Sequence, residues 1–283
     1  MKQDYFYLLI LYFGFSFSNC GTTKPTQATA NGTQTIDTAH HKITYHLKFL
    51  RDSINMTFKE DFNIVQIGAN FTKNYCYQTF HADSLWYDTN GGQQIIIDRM
   101  MEAAKNKNSD VGIFSKGIYK FYIYKDYQKA KITVTDHVSS YPFIYDDELK
   151  PQDWTVLEDT MSILGYSCQK AVCSYRGRDW EAWFAPDIPI SEGPYKFYGL
   201  PGLIMKLDDT ESHYSFVMQG IEHVYEPIYM TVSNSYRSID RLSFLKLLMN
   251  KTGTDLVAIE SARIGITVDN SIMQWDYIER DYK

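Results

Sequence analysis

Residues 165–185 constrain the fold more than any other stretch. Gly165–Tyr175 and Trp180–Ala185 are two runs rich in strand formers, separated by the turn residues Arg176-Gly177-Arg178-Asp179. That pattern predicts two strands meandering in one antiparallel sheet. Further strands are predicted along the chain. Ile43–Phe49 alternates, with Ile43, Tyr45, Leu47 and Phe49 on one face and Thr44, His46 and Lys48 on the other. Phe62–Ile67 and Phe71–Phe80 read as the next two strands. Ile118–Tyr124 and Lys131–His137 pair as a hairpin around Asp126–Lys129, with Ile132 and Val134 turned inward, and Ile259–Val268 closes the series. The aromatic share of 16%, led by 23 tyrosines, points the same way.

Two helices interrupt the strands. Between Gln94 and Asn106, Ile97, Met100, Met101 and Ala104 fall at helical spacing, which gives an amphipathic helix able to cover a sheet face. Asp240–Asn250 carries Leu242, Leu245, Leu248 and Met249 behind an Asp or Ser cap. The expected fold class is therefore mainly β with few helices (α+β), a curved antiparallel meander packed on one or two helices.

The N-terminal segment bears on location. Tyr5 to Phe17 is an almost unbroken apolar run of about thirteen residues, which suits an export signal and is short for a membrane span. It follows Lys2 and ends at Ser16-Phe17-Ser18-Asn19-Cys20, which resembles a bacterial lipobox except that Asn19 replaces the usual small residue and Asp4 weakens the basic region. Two readings stand: lipidation at Cys20, or an ordinary cleaved signal peptide over residues 1–20. Residues 21–40, beginning GTTKPTQATANGTQT, are too polar to bury a core and read as a tether. Residues 41–283 then form a single domain. The expected location is the periplasm or outer membrane, with membrane contact only through an anchor on Cys20.

Several function classes are disfavoured. A net charge of −6 without a basic stripe argues against nucleic acid. No histidine of His40, His41, His46, His81, His137, His213 and His223 forms HExxH or HxH, so no metal or cofactor is expected. Asp208-Asp209-Thr210-Glu211-Ser212-His213 reads as a solvated hairpin turn, its spacing unlike that of a calcium loop. Asp187 and Glu192 form the nearest thing to an acid/base carboxylate pair, although carboxylates in a proline-rich loop commonly serve solubility. No catalytic residue is assigned. Among Cys76, Cys168 and Cys173, one disulfide or three free thiols are both open; Cys168 and Cys173 are five positions apart in a strand and so point to opposite faces.

Residues 193–207, GPYKFYGLPGLIMKL, combine three glycines and two prolines with apolar residues and then turn into strand alternation. A phosphate loop needs Lys-Ser/Thr at a helix start and a nucleophile elbow needs G-x-S-x-G; neither is present. What remains is backbone geometry. Pro194 and Pro201 fix φ, while Gly199 and Gly202 permit positive φ or close approach, so the segment, with Gly193 at its start, reads as a structural corner or the wall of a ligand mouth.

Gly199-Leu200-Pro201-Gly202-Leu203-Ile204 also resembles the signature of the GLPGLI family, envelope proteins of Bacteroidota-type bacteria with no assigned function. The resemblance extends from Trp154 to Leu207 and includes Leu164–Ala171, Trp183–Pro189, Gly193-Pro194 and Phe197. A more distant similarity is to lipoprotein-carrier half-barrels, whose curved sheet wraps a helix or an acyl chain. That similarity implies a non-enzymatic envelope protein holding a lipid, another apolar small molecule or a peptide against Tyr166, Trp180, Trp183, Phe184, Phe197, Leu200 and Leu203. Two alternatives are an interaction module serving an outer-membrane protein partner, which would show a filled interior, and a hydrolase with dispersed residues.

Overall fold

The computed structural model describes residues 31–86, 90–105, 119–138, 141–249 and 276–282. The signal segment, Cys20 and the strand expected at Ile259–Val268 lie outside them. Alternating side chains do set the strands where one face is buried. Ile43, Tyr45, Leu47 and Phe49 are each at most 1% exposed on β1 (Asn31–Asp52), which pairs antiparallel with β2 (Thr57–Ile67). β3 (Phe71–Cys76), β4 (Tyr122–Asp126), β5 (Lys131–Val138) and β6 (Tyr141–Glu148) continue outward from β2, each paired antiparallel with the one before. Asp126 closes the β4–β5 turn by accepting the N–H groups of Gln128 and Lys129, and Ile132 and Val134 face the core as expected.

The second half of the chain builds the other side of the same sheet. β7 (Thr155–Ile163), β8 (Tyr166–Tyr175), β9 (Arg178–Ala185), β10 (Leu203–Asp209) and β11 (Tyr214–Ser233) also pair in sequence. β11 then joins β1, so the order is β12-β6-β5-β4-β3-β2-β1-β11-β10-β9-β8-β7, with β12 (Arg237–Ser238) added parallel to β6. The β8–β9 turn is tighter than its four-residue signal. Arg176 and Gly177 both take positive φ, the two-residue form that matches strand twist, and Arg178 and Asp179 already belong to β9.

Connectivity requires the sheet to curl. β6 and β7 are ten strand positions apart, roughly 48 Å in a flat sheet, yet the link across 149–154 reaches at most about 25 Å. The ion pair between Arg176 at the β8–β9 turn and Asp147 on β6, 2.7 Å, marks the approach of the two ends. The sheet is thus one large, curved, open antiparallel surface, as expected for the fold class.

Three expectations need correction. Residues 31–40 are not tether; they form the first part of β1, paired with β11 from Ser233 to Glu226, because a ladder of backbone hydrogen bonds tolerates Thr, Gln and Asn side chains. The strand read over Phe71–Phe80 stops at Cys76, and α1 (Tyr77–Trp86) begins there, with Asp61 accepting the N–H of Gln78 in its first turn. α2 (Gly92–Lys105) is present and packs on α1, but among its described apolar side chains Ile96 is buried while Ile97 and Met101, expected to cover a sheet face, are exposed. The side chains of Met100 and Ala104 lie outside those described.

The helix expected at Asp240–Asn250 is α3 (Arg241–Met249), capped by the Asp240 carboxylate accepting the N–H of Ser243. Phe244 and Leu245 face the core against Phe143 and Tyr145, and Leu242 is exposed. Cys76, Cys168 and Cys173 are all buried free thiols.

Candidate functional site

The corner between β9 and β10, residues 186–202, fills the hollow of the curved sheet. Its backbone folds on itself: Phe197 N–H donates to Pro194 O, Gly199 N–H to Ser191 O, Ile204 N–H to Glu192 O and Leu203 N–H to Ile188 O. Two glycines permit this. At Gly202, with φ +155°, a Cβ would sit 2.3 Å from Ala185 O, and at Gly199, with φ +96°, it would sit 2.6 Å from the Pro151 Cβ. Both therefore serve close approach, which resolves the signature into a structural corner.

Side chains from distant strands pin that corner. Tyr45 Oη donates to Ile204 O at 2.7 Å, Trp154 Nε1 to Tyr198 O at 2.9 Å, and Lys125 Nζ to both the Glu192 carboxylate at 2.8 Å and Phe197 O at 3.0 Å. Lys196, fully buried, donates to Glu279 Oε1 at 2.6 Å and Asp147 Oδ2 at 3.0 Å, while Tyr195 Oη and Arg241 also bind Glu279. Burial pushes the Glu279 carboxyl up, but Lys196, Tyr195 and Arg241 outweigh it and hold the group below its ordinary range. For Glu192 burial dominates and lifts the carboxyl, with Lys125 opposing. Asp187 is exposed, whereas Glu192 is buried and bound to Lys125.

Much of the expected ligand set lies in the interior. Trp180, Phe184, Phe197, Leu200 and Leu203 are each at most 1% exposed and pack on one another, with the Trp180 and Phe197 rings 4.7 Å apart at the centroids. They fill the hollow of the sheet because the corner folds into it. Trp183 is half-buried on the opposite face of β9 from Trp180, as strand alternation requires, and Tyr166 is exposed near the β7–β8 turn. A different set forms a recess. Ile67, Tyr127, Pro151, Pro189, Ile190 and Tyr198 line most of an open groove of about 510 Å³, with Ser191, Glu192 and Gly199 completing it. Tyr127 and Tyr198 meet edge to face at 6.1 Å, and Lys125 lies beneath the Tyr198 ring at 5.0 Å. Tyr127 comes from the β4–β5 turn and Pro151 from the link after β6, so proximity in sequence gave no signal of their meeting.

Residues 174–206, spanning β9 and the corner, match the model of a family described as a protein of unknown function, Porph_ging. It is a domain associated with Bacteroidota. No curated protein matches the chain. Two solved structures of PNGF-II, in space groups P21 and C2, are similar at TM-score 0.44 and 16% identity, over 75% and 74% of this chain and 33% and 32% of theirs. The chain thus spans about a third of that protein's length.

One polar cluster departs from its sequence reading. Asp209 is buried instead of solvated: its Oδ1 accepts the N–H groups of His213 and Tyr214, and its Oδ2 pairs with Arg178 at 2.6 Å. Arg178 also holds Asp276 and the carbonyls of Tyr277 and Ile278, which docks residues 276–282 on the sheet. Asp209, Glu211 and His213 bring ligand atoms within 4.8 Å of one another, but Arg178 and Arg280 already neutralise their carboxylates. Ordinary ion pairing accounts for that group.

Proposed function

We propose that this chain is an exported, GLPGLI-type envelope protein that acts without catalysis, holding an extended peptide segment in the groove beside its corner. The observation carrying this reading is the contrast between a filled interior and an open, apolar recess. Trp180, Phe197, Leu200 and Leu203 occupy the space an acyl chain would need. The groove, by comparison, offers two tyrosine rings, two prolines and two isoleucines, the surface type that receives extended, proline-containing segments. The GLPGLI reading rests on the resemblance of residues 154–207 to that family's motifs. The outer-membrane interaction reading fits the same groove, with the peptide then belonging to a membrane protein partner.

A photo-crosslinking amino acid placed at Tyr127 tests the proposal in intact cells. Crosslinks to polypeptide are expected from Tyr127, are expected to disappear with Ile190→Arg, and are not expected from Tyr225, a control site that is 86% exposed. Equal yields from both sites would refute the groove assignment. Native mass spectrometry of protein from the envelope should show no non-covalent lipid; a lipid-sized mass released by organic solvent would restore the carrier reading.

A further inference from the structure

His41 and His223 are 182 positions apart in sequence but face each other across the β1–β11 ladder. Their rings are 4.7 Å apart at the centroids, inclined at 56°. Two imidazoles sharing one metal ion through ring nitrogens at about 2.1 Å place each centroid about 3.2 Å from the metal, so a metal angle between about 90° and 109° sets the centroids about 4.5–5.2 Å apart. The observed spacing falls within that range. We propose that His41 and His223 form a two-imidazole site for a divalent first-row transition metal ion, with water in the remaining coordination positions.

The surroundings favour it. The pairing fixes both backbones, so the two rings are brought together before any ion arrives. The adjacent charges cancel, since Lys42 pairs with Glu222 at 3.6 Å in the next position of the ladder. His40 packs toward Tyr225 at 6.1 Å. His41 is also in register with Ile67, a groove residue, so the site borders the groove without depending on what the groove binds. Imidazole pairs select borderline ions, and Cu²⁺ binds most strongly in the divalent series.

Titration of the purified protein with Cu²⁺ near pH 7.5, followed by calorimetry and electron paramagnetic resonance, tests the site. One equivalent with hyperfine coupling to two imidazole nitrogens is expected. His223→Ala alters an exposed side chain and should fold normally; it should weaken binding at least tenfold and leave a one-imidazole spectrum. His41→Ala should do the same, and His46→Ala and His213→Ala should each leave the affinity within twofold of wild type. Saturating Cu²⁺ should raise the melting temperature of wild type and not of His223→Ala, because the two ligands are adjacent only in the folded ladder. Wild-type affinity in His223→Ala, or loss of binding in His213→Ala alone, would overturn the assignment.

Discussion

Lys196→Met tests whether the corner is held by its buried charges. The substitution keeps most of the side-chain volume and removes both the 2.6 Å bond to Glu279 and the 3.0 Å bond to Asp147. Breaking a buried pair costs about 3–5 kcal/mol. The lower end applies here, because Glu279 keeps Tyr195 and Arg241, and Asp147 keeps Arg176. A loss of about 3 kcal/mol with an m-value near 3 kcal/mol/M moves the urea midpoint down by about 1 M. Tryptophan fluorescence reports it, since Trp180 is buried against Phe197. Glu279 carries a depressed carboxyl pKa, so its contribution is complete above the ordinary value of 4.5 and fades as pH falls below it toward the folded-state value. The deficit of Lys196→Met should therefore shrink in acid. Pairing it with Glu279→Gln should give a coupling of at least about 1.5 kcal/mol. A loss below about 1 kcal/mol, or additive single-mutant effects, would refute this account of the corner.

Three further outcomes are expected. Gly165→Ala should lose only about 1 kcal/mol, the conformational penalty of positive φ with open space around the site, whereas Gly202→Ala must displace Ala185 O and should lose several times more; thermal denaturation of the two variants compares them. Asp61 is buried and its carboxyl is raised to about 6, so the wild type becomes less stable as pH rises from about 4 to 6, and Asp61→Asn should gain up to about 3 kcal/mol at pH 8 and almost nothing at pH 4 in urea titrations. Cys76, Cys168 and Cys173 should resist iodoacetamide in the native protein and react after unfolding without a reductant, as mass spectrometry would record; modification of Cys76 in the native state would contradict its burial and raised thiol pKa.

What could be read in the sequence was whatever repeats locally. Ile43, Tyr45, Leu47 and Phe49 announced their face because one side of β1 meets the core there. The Asp126 turn and the Asp240 cap were legible because a carboxylate satisfies backbone donors two or three residues away. α1 was missed because Tyr77, Phe80, Ala82 and Trp86 form no continuous helical stripe, and the run from Phe71 looked like uninterrupted strand. The candidate groove escaped for another reason. Tyr127, Pro151 and Ile190 are ordinary turn and loop residues, and only the curl of the sheet brings them together. The same applies to Asp209, whose acidic neighbourhood reads as a wet turn until Arg178 and residues 276–282 cover it.

The order of strands also divides the molecule into two pieces. Within residues 31–148 and within 155–233, neighbouring strands in the sheet are also consecutive in sequence, and the long β1–β11 ladder stitches the pieces together on one side. On the other side, residues 149–154 are the covalent bridge across the opening. A nick in that bridge removes no strand pairing, so the two fragments have every ladder contact needed to find each other again, and co-expressed halves should reconstitute the fold. Fusion of each half to a different protein would make their reassembly a reporter of proximity.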